Sequence, residues 1–177
     1  MTAQIHIILG SETDISNANK ILRLWRRFGL DYVVSIASCH WHSGAGFDRL
    51  VSTIQEKVIA FLGGMSLQAP AIIESMEKNQ GEFKLVIGIP TDEAALSAIM
   101  DLPKGTGILT TGLNRISLSH SLENAALTIA KNLALIYGDL EIQKKILDYH
   151  REKRDGEKRI QAYLELDENG LIPDIGY

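Results

Sequence analysis

Several features that would define other protein classes are missing from this 177-residue sequence. A single cysteine, Cys39, excludes an internal disulfide framework and fits a reducing compartment. No apolar run reaches the roughly 18 residues of a membrane span, and the first residues lack the basic segment and apolar core of a signal peptide. A formal net charge of −4 leaves no electrostatic footprint for nucleic acid. We therefore expect a cytoplasmic protein that binds neither membranes nor nucleic acid.

Common nucleotide-binding and metal-binding signatures are missing as well. The segment after the first predicted strand lacks the glycine pattern of a dinucleotide site, and no Gly-Lys-Ser/Thr follows any strand. Cys39, His40 and His42 lie together but lack the spaced second ligand pair of a structural zinc site. These absences leave NAD binding and nucleoside triphosphate hydrolysis unsupported and disfavour a metal, with a metal bound by Cys39, His40 and His42 as an open alternative.

What the sequence does contain is an alternation of strand-like and helix-like segments. Apolar runs of strand length cover residues 5–9, 32–37, 58–62, 83–89 and 107–111. Helical patterns lie at 16–28, 47–58, 70–76, 93–102, 118–137 and 140–153, with Gly29 and Gly138 placed to end two of them. Strands that are apolar on both faces suit a parallel sheet covered by helices on both sides. The pattern predicts an α/β fold, a flavodoxin-like three-layer sandwich whose five-stranded sheet has the order 2-1-3-4-5.

The periodic pattern stops near the end of the chain. From Asp155 onward the sequence contains Gly156, Gly170, Pro173 and Gly176 and shows no clear period. We therefore predict one α/β domain over residues 1–155 and a C-terminal extension over residues 156–177.

In open parallel sheets, ligands bind beyond the carboxyl ends of the strands, so the segments that follow each strand are the candidate site. After the first strand, the hydroxyls of Ser11 and Thr13 can hold a phosphate at a helix start, and Asp14 can accept hydrogen bonds from ribose hydroxyls. Ordinary helix capping by Thr13 or Asp14, with Gly10 in the turn, explains the same residues.

The second and third strands end in residues with different chemistry. His40 follows the second strand, where an imidazole is well placed for proton transfer near neutral pH, although it is equally consistent with a simple loop residue. Gly63 and Gly64 follow the third strand and either let the backbone approach a ligand or form a tight turn before a helix. His6, inside the first strand, is interpreted as a satisfied core or edge residue.

These segments together resemble the PurE family, the carboxyaminoimidazole ribonucleotide mutases and aminoimidazole ribonucleotide carboxylases of purine (IMP) biosynthesis. Residues 8–14 resemble the family's Gly-Ser-x-Ser-Asp signature, and residues 38–40 resemble its Ser-Ala-His. The other similar segments are Gly63-Gly64, the Gly-Ile-Pro at 88–90, the Leu-Pro-Lys-Gly at 102–105 and the Asn-Ala-Ala at 124–126.

The resemblance implies a flavodoxin-like homo-octamer without metal or cofactor, acting as an isomerase or a lyase on a small ribonucleotide phosphate. By resemblance, Ser11, Thr13 and Asp14 would hold the ribose phosphate, and Ser38 would contribute to substrate binding. His40 would be the catalytic residue that moves the proton at the ring carbon. Gly63 and Gly64 would bring backbone close to the ring and carboxyl group.

Two departures from the family pattern keep a second interpretation open. Trp41 stands where the family has a phosphate-binding arginine, and residues 65–70, including Leu67 and Gln68, contain no counterpart of the family's second histidine. The alternative is a divergent paralogue that binds another phosphorylated ligand, with altered or no catalysis. A non-catalytic assembly protein on the same scaffold is a third possibility.

Overall fold

A parallel five-stranded sheet is the centre of the computed structural model, which describes residues 4–39, 45–65, 67–81, 83–102, 106–114 and 117–166. The strands in these ranges are β1 (Ile5–Leu9), β2 (Tyr32–Ile36), β3 (Val58–Gly63), β4 (Leu85–Pro90) and β5 (Leu109–Thr110). Their order is β2-β1-β3-β4-β5, and every neighbouring pair is parallel. The predicted flavodoxin-like fold and strand order are confirmed.

Helices cover both faces of the sheet because its central strands carry apolar side chains on both sides. The helices are α1 (Ile15–Phe28), α2 (Ala45–Thr53), α3 (Ala69–Gln80), α4 (Glu93–Met100), α5 (Leu118–Ile136) and α6 (Leu140–Leu166), and a 3₁₀ turn, Glu12–Asp14, precedes α1. Every residue of β1 and β3 is buried. The alternation of side chains along β1 sends Ile7 into one core and Ile8 into the other.

The larger core lies between the sheet and α1, α5 and α6. Trp25 of α1 is fully buried, and its indole nitrogen donates a hydrogen bond to the carbonyl oxygen of Ala126 in α5 at 3.2 Å. The fully buried alanines Ala125, Ala126 and Ala130 give α5 the narrow face that such close approach requires. The alanine-rich helix α5 is therefore a core element.

Some element ends differ from the sequence-based expectation. The helix α2 ends at Thr53 rather than near Val58, because Val58 already begins the buried strand β3. The helix α6 continues through Asp155 and Gly156 to Leu166, beyond the predicted end near residue 153. The shorter strand β5 consists of Leu109–Thr110 only.

The one histidine within the sheet has a structural role, as predicted. His6 is buried, with its Nε2 2.8 Å from the Ser35 hydroxyl and its Nδ1 3.3 Å from a carboxylate oxygen of Glu56. Burial lowers the pKa of the His6 imidazole, and the neighbouring Glu56 carboxylate opposes that effect.

Among the helices of the described residues, none has both the length and the apolar character that crossing a membrane requires.

Candidate functional site

A cavity of about 400 Å³ lies at the carboxyl edge of the sheet. Segments that follow β1, β2, β3 and β4 all contribute to its lining, at the point where strand order reverses between β1 and β3. All of the residues proposed from the sequence to bind substrate line this cavity, namely Ser11, Thr13, Asp14, Ser38, Gly63 and Gly64. His40 lies outside the described residues, and its neighbour Cys39 lines the cavity.

Backbone hydrogen bonds continue across the ends of the strands and hold these segments side by side. The Gly10 amide donates to the Leu62 carbonyl at 2.9 Å, and the Thr91 amide donates to the Gly63 carbonyl at 3.0 Å. On the other side, the Ala37 amide donates to the Leu9 carbonyl at 2.9 Å. The cavity floor is therefore an extension of the sheet, which gives its polar groups a rigid support.

The segment after β1 forms a compact network of hydroxyl and carboxylate groups. The hydroxyl oxygens of Ser11 and Thr13 lie 2.6 Å apart. One carboxylate oxygen of Asp14 accepts from the Ser11 amide at 3.0 Å and from the Ser11 hydroxyl at 3.1 Å. Asp14 occupies the N-cap position of α1, but its side chain makes no capping bond there. The carboxylate therefore orients Ser11 rather than capping α1.

Asp14 is an acidic group held in an unfavourable place for a charge. Asp14 is only 8% exposed to solvent. Burial raises the pKa of the Asp14 carboxyl, the hydrogen bonds from Ser11 lower it, and the nearby Asp92 carboxylate raises it further. A buried acid with a raised pKa in a cavity is typical of a functional site.

Cys39 is the half-buried thiol of the cavity wall. Burial raises the pKa of the Cys39 thiol, so the free thiol is protonated and is a poor nucleophile in this setting. His40 and His42, which the alternative metal site would require, lie outside the described residues. Cys39 therefore contributes a small, neutral surface to the cavity.

Close packing explains the paired glycines after β3. A Cβ on Gly63 would lie 3.2 Å from the Leu67 side chain, and a Cβ on Gly64 would collide with the Asp92 carboxylate. Neither glycine has a positive φ, so the requirement is for space rather than for a left-handed backbone. Met65, which follows them, does have a positive φ, of 37°.

Three polar residues of the cavity were not among the site residues proposed from the sequence. Gln68 follows β3, and Thr91 and Asp92 follow β4. The strand-end rule points to both segments, but Asp92 has the sequence signature of an ordinary helix N-cap, three residues before Ala95. It does cap α4, because its Oδ1 accepts from the Ala95 amide at 2.7 Å. Only the fold shows that the same side chain also reaches the loop after β3.

The sheet order and the polar cavity at its switch point define a flavodoxin-like α/β protein with a candidate ligand site at the carboxyl edge. The family model described as AIR carboxylase matches residues 4–156. The chain belongs to this family.

Relatives and a solved structure agree with this membership. The chain is similar to the N5-carboxyaminoimidazole ribonucleotide mutase of Methanocaldococcus jannaschii, at 31% identity over 155 residues, which covers 84% of this chain and 88% of the relative. The corresponding mutase of Thermotoga maritima is 26% identical over 162 residues, covering 86% of each chain. The crystal structure of Treponema denticola PurE shares the fold, with a TM-score of 0.66 at 21% identity over 92% of this chain and 98% of the other.

Proposed function

We propose that this protein acts in purine biosynthesis and transfers a carboxyl group on an aminoimidazole ribonucleotide, as a mutase (isomerase) or as a carboxylase (lyase). The observation that carries the proposal is the single cavity that gathers Ser11, Thr13, Asp14, Ser38, Gly63 and Gly64 at the switch point of the sheet. Family membership and relatives described as mutases support the reaction class.

Each group in the cavity has a role that its chemistry suits. The paired hydroxyls of Ser11 and Thr13 hold the ribose phosphate, and Asp14 fixes the orientation of the Ser11 hydroxyl. The backbone of Gly63 and Gly64 faces the ring and its carboxyl group. This arrangement binds and orients the substrate before any proton moves.

Proton transfer is assigned to His40, by analogy with the family's Ser-Ala-His motif. In the mutase reaction the carboxyl group leaves an exocyclic nitrogen as CO₂ and adds to the neighbouring ring carbon. The proton that the ring carbon then loses balances the one that the nitrogen gains. A single imidazole near neutrality suits that exchange.

A second candidate function is binding of another phosphorylated ligand by a divergent paralogue. Among the described residues that line the cavity there are two carboxylates, Asp14 and Asp92, and no lysine or arginine. Trp41 takes the place of the family's phosphate-binding arginine. An electrostatic setting of this kind favours a ligand with less anionic charge facing Asp14 than the family substrate has.

We further propose a cytoplasmic homo-octamer that needs no metal or organic cofactor, with residues 1–155 as the α/β domain and 156–177 as an extension. Exposed apolar side chains at the turn between α5 and α6 support oligomerisation. Leu135 is 74% exposed and Leu140 is 75% exposed, next to Ile136 and Tyr137.

The test is an assay of the full chain with the carboxylated and the free aminoimidazole ribonucleotide, together with thermal unfolding. His40→Asn should abolish turnover and leave folding intact, whereas His150→Asn, on the exposed face of α6, should retain full activity. Saturating ribonucleotide, at about 100 times its Kd, should stabilise the wild-type protein by about 2.7 kcal/mol. Full turnover by His40→Asn would refute the catalytic assignment. Stabilisation by a different phosphorylated compound alone would establish the second candidate.

A further inference from the structure

The carboxylate of Asp92 connects two elements that are far apart in sequence. Its Oδ1 accepts from the Ala95 amide at 2.7 Å and caps α4. Its Oδ2 accepts from the Met65 amide at 2.9 Å, in the loop that follows β3 and 27 residues away along the chain. Each oxygen is therefore satisfied by a different element, and Asp92 and Met65 both line the cavity.

The loop itself is shaped around this carboxylate. Gly64 has no side chain at the point where the Asp92 carboxylate lies, and any Cβ there would collide with it. Met65 has a φ of 37°, a conformation that residues other than glycine adopt only when their surroundings hold them in it. The side chain of Met65 is 77% exposed, so its own packing does not supply that restraint.

We propose that Asp92 is a positioning residue that clamps the loop formed by residues 63–65, hereafter the glycine loop, in the conformation that binds ligand. The inference rests on the proposed function, because that function assigns the ring and carboxyl group of the substrate to this loop. Asp92 sets the position of the backbone of Gly64 and Met65, and so the shape of the cavity, without contacting the reacting atoms.

Substitutions of Asp92 can remove its contact with Met65, the clamp, and keep its contact with Ala95, the helix cap. Two backbone N–H groups approach two different oxygens, so only a carboxylate can accept from both. Asparagine and serine are good N-cap residues, but each offers a single acceptor to this pair of donors. Asp92→Asn and Asp92→Ser should therefore keep α4 capped and release the glycine loop.

The first measurement is hydrogen–deuterium exchange of the full chain without ligand, read at single residues. We expect the Met65 amide to exchange at least about tenfold faster in Asp92→Asn and Asp92→Ser, because it loses a charge-assisted hydrogen bond. The Ala95 amide should retain its protection and the melting temperature should change little. Unchanged protection at Met65 in both variants would overturn the clamp, whatever the protein binds.

The second measurement is the affinity for the aminoimidazole ribonucleotide, once binding to the wild-type protein has been shown. Asp92→Ser should weaken binding about tenfold, at an unchanged melting temperature. Gly64→Ala should reproduce this loss, because its methyl group displaces the Asp92 carboxylate, whereas Gly112→Ala has open space around it and should bind normally. A faster Met65 amide with unchanged affinity in these variants would overturn the positioning role. Failure of the wild type to bind would instead count against the proposed function.

Discussion

At the scale of single residues, the cavity concentrates groups that are costly to the fold. Asp14 is nearly buried, lies near a second carboxylate and accepts two hydrogen bonds from Ser11 through one of its oxygens. A structural role alone would be served as well by a neutral side chain. A buried carboxylate that lowers the stability of the fold is typical of a functional group.

Asp14→Asn tests this conflict directly. The amide oxygen can accept from Ser11 as the carboxylate does, and the charge is removed, so we expect unfolding free energy at pH 7 to be unchanged or raised by up to about 1 kcal/mol. Ribonucleotide binding should weaken. Urea denaturation and ligand titration measure the two effects, and Asp48→Asn, on the exposed surface of α2, provides the matched change in charge.

The pH dependence of stability follows from the same group. Because the pKa of Asp14 is raised in the folded state, the folded protein holds this proton more tightly than the unfolded chain. Stability should therefore fall as pH rises from the ordinary aspartate pKa through the raised one, and remain lower above it. The Asn variant should lack this fall. An identical pH profile for the two proteins would show that Asp14 is not destabilised by ionisation.

At the scale of elements, alternating apolar patterns predicted the sheet and the shared edge, because parallel strands necessarily bring their carboxyl ends together. That rule placed Ser11 and Gly63 in one cavity from sequence alone. The predicted strand order already pairs β3 with β4. The contact of Asp92 with Met65 could not be predicted, because it depends on the conformation of the loop after β3. The end of α6 was missed because Gly156 resembles a helix stop, although the helix formers around it outweigh its cost of about 1 kcal/mol.

Two glycines with open surroundings distinguish a glycine that ends a helix from a glycine that lies inside one. Gly138, after α5, has a φ of 63°, whereas Gly156 lies inside α6, and a Cβ on either would meet nothing within 4 Å. Gly138→Ala should destabilise the protein by about 1 kcal/mol, because an L-residue is strained in the left-handed region. Gly156→Ala should stabilise it by about 0.5–1 kcal/mol. Chemical denaturation of both variants gives the comparison, and equal effects would contradict the assignment of Gly138 as a helix terminator.

At the scale of the whole molecule, the described core contacts of the helix α6 lie in its first half. Ile142, Ile146 and Tyr149 are buried in the larger core, and the Tyr149 ring meets Phe28 edge-on at 5.7 Å. Residues 150–155 are exposed. The domain boundary predicted at residue 155 therefore lies inside α6, but beyond the last described core residue of that helix. A truncation at this boundary tests the domain assignment.

Removal of residues 156–177 should leave unfolding free energy within about 1 kcal/mol of the full chain, since no described core residue is lost. Removal from Leu140 onward should prevent folding, because uncovering the sites of Ile142, Ile146 and Tyr149 costs several kcal/mol each, comparable in sum with the whole stability of a domain. Circular dichroism and urea denaturation distinguish the two truncations.

Sedimentation should give about eight times the 19.5 kDa chain mass for the full chain, as the proposed octamer requires. If the chain that lacks residues 156–177 folds but sediments as a monomer, assembly depends on the extension. If that chain unfolds, the predicted boundary at residue 155 is wrong.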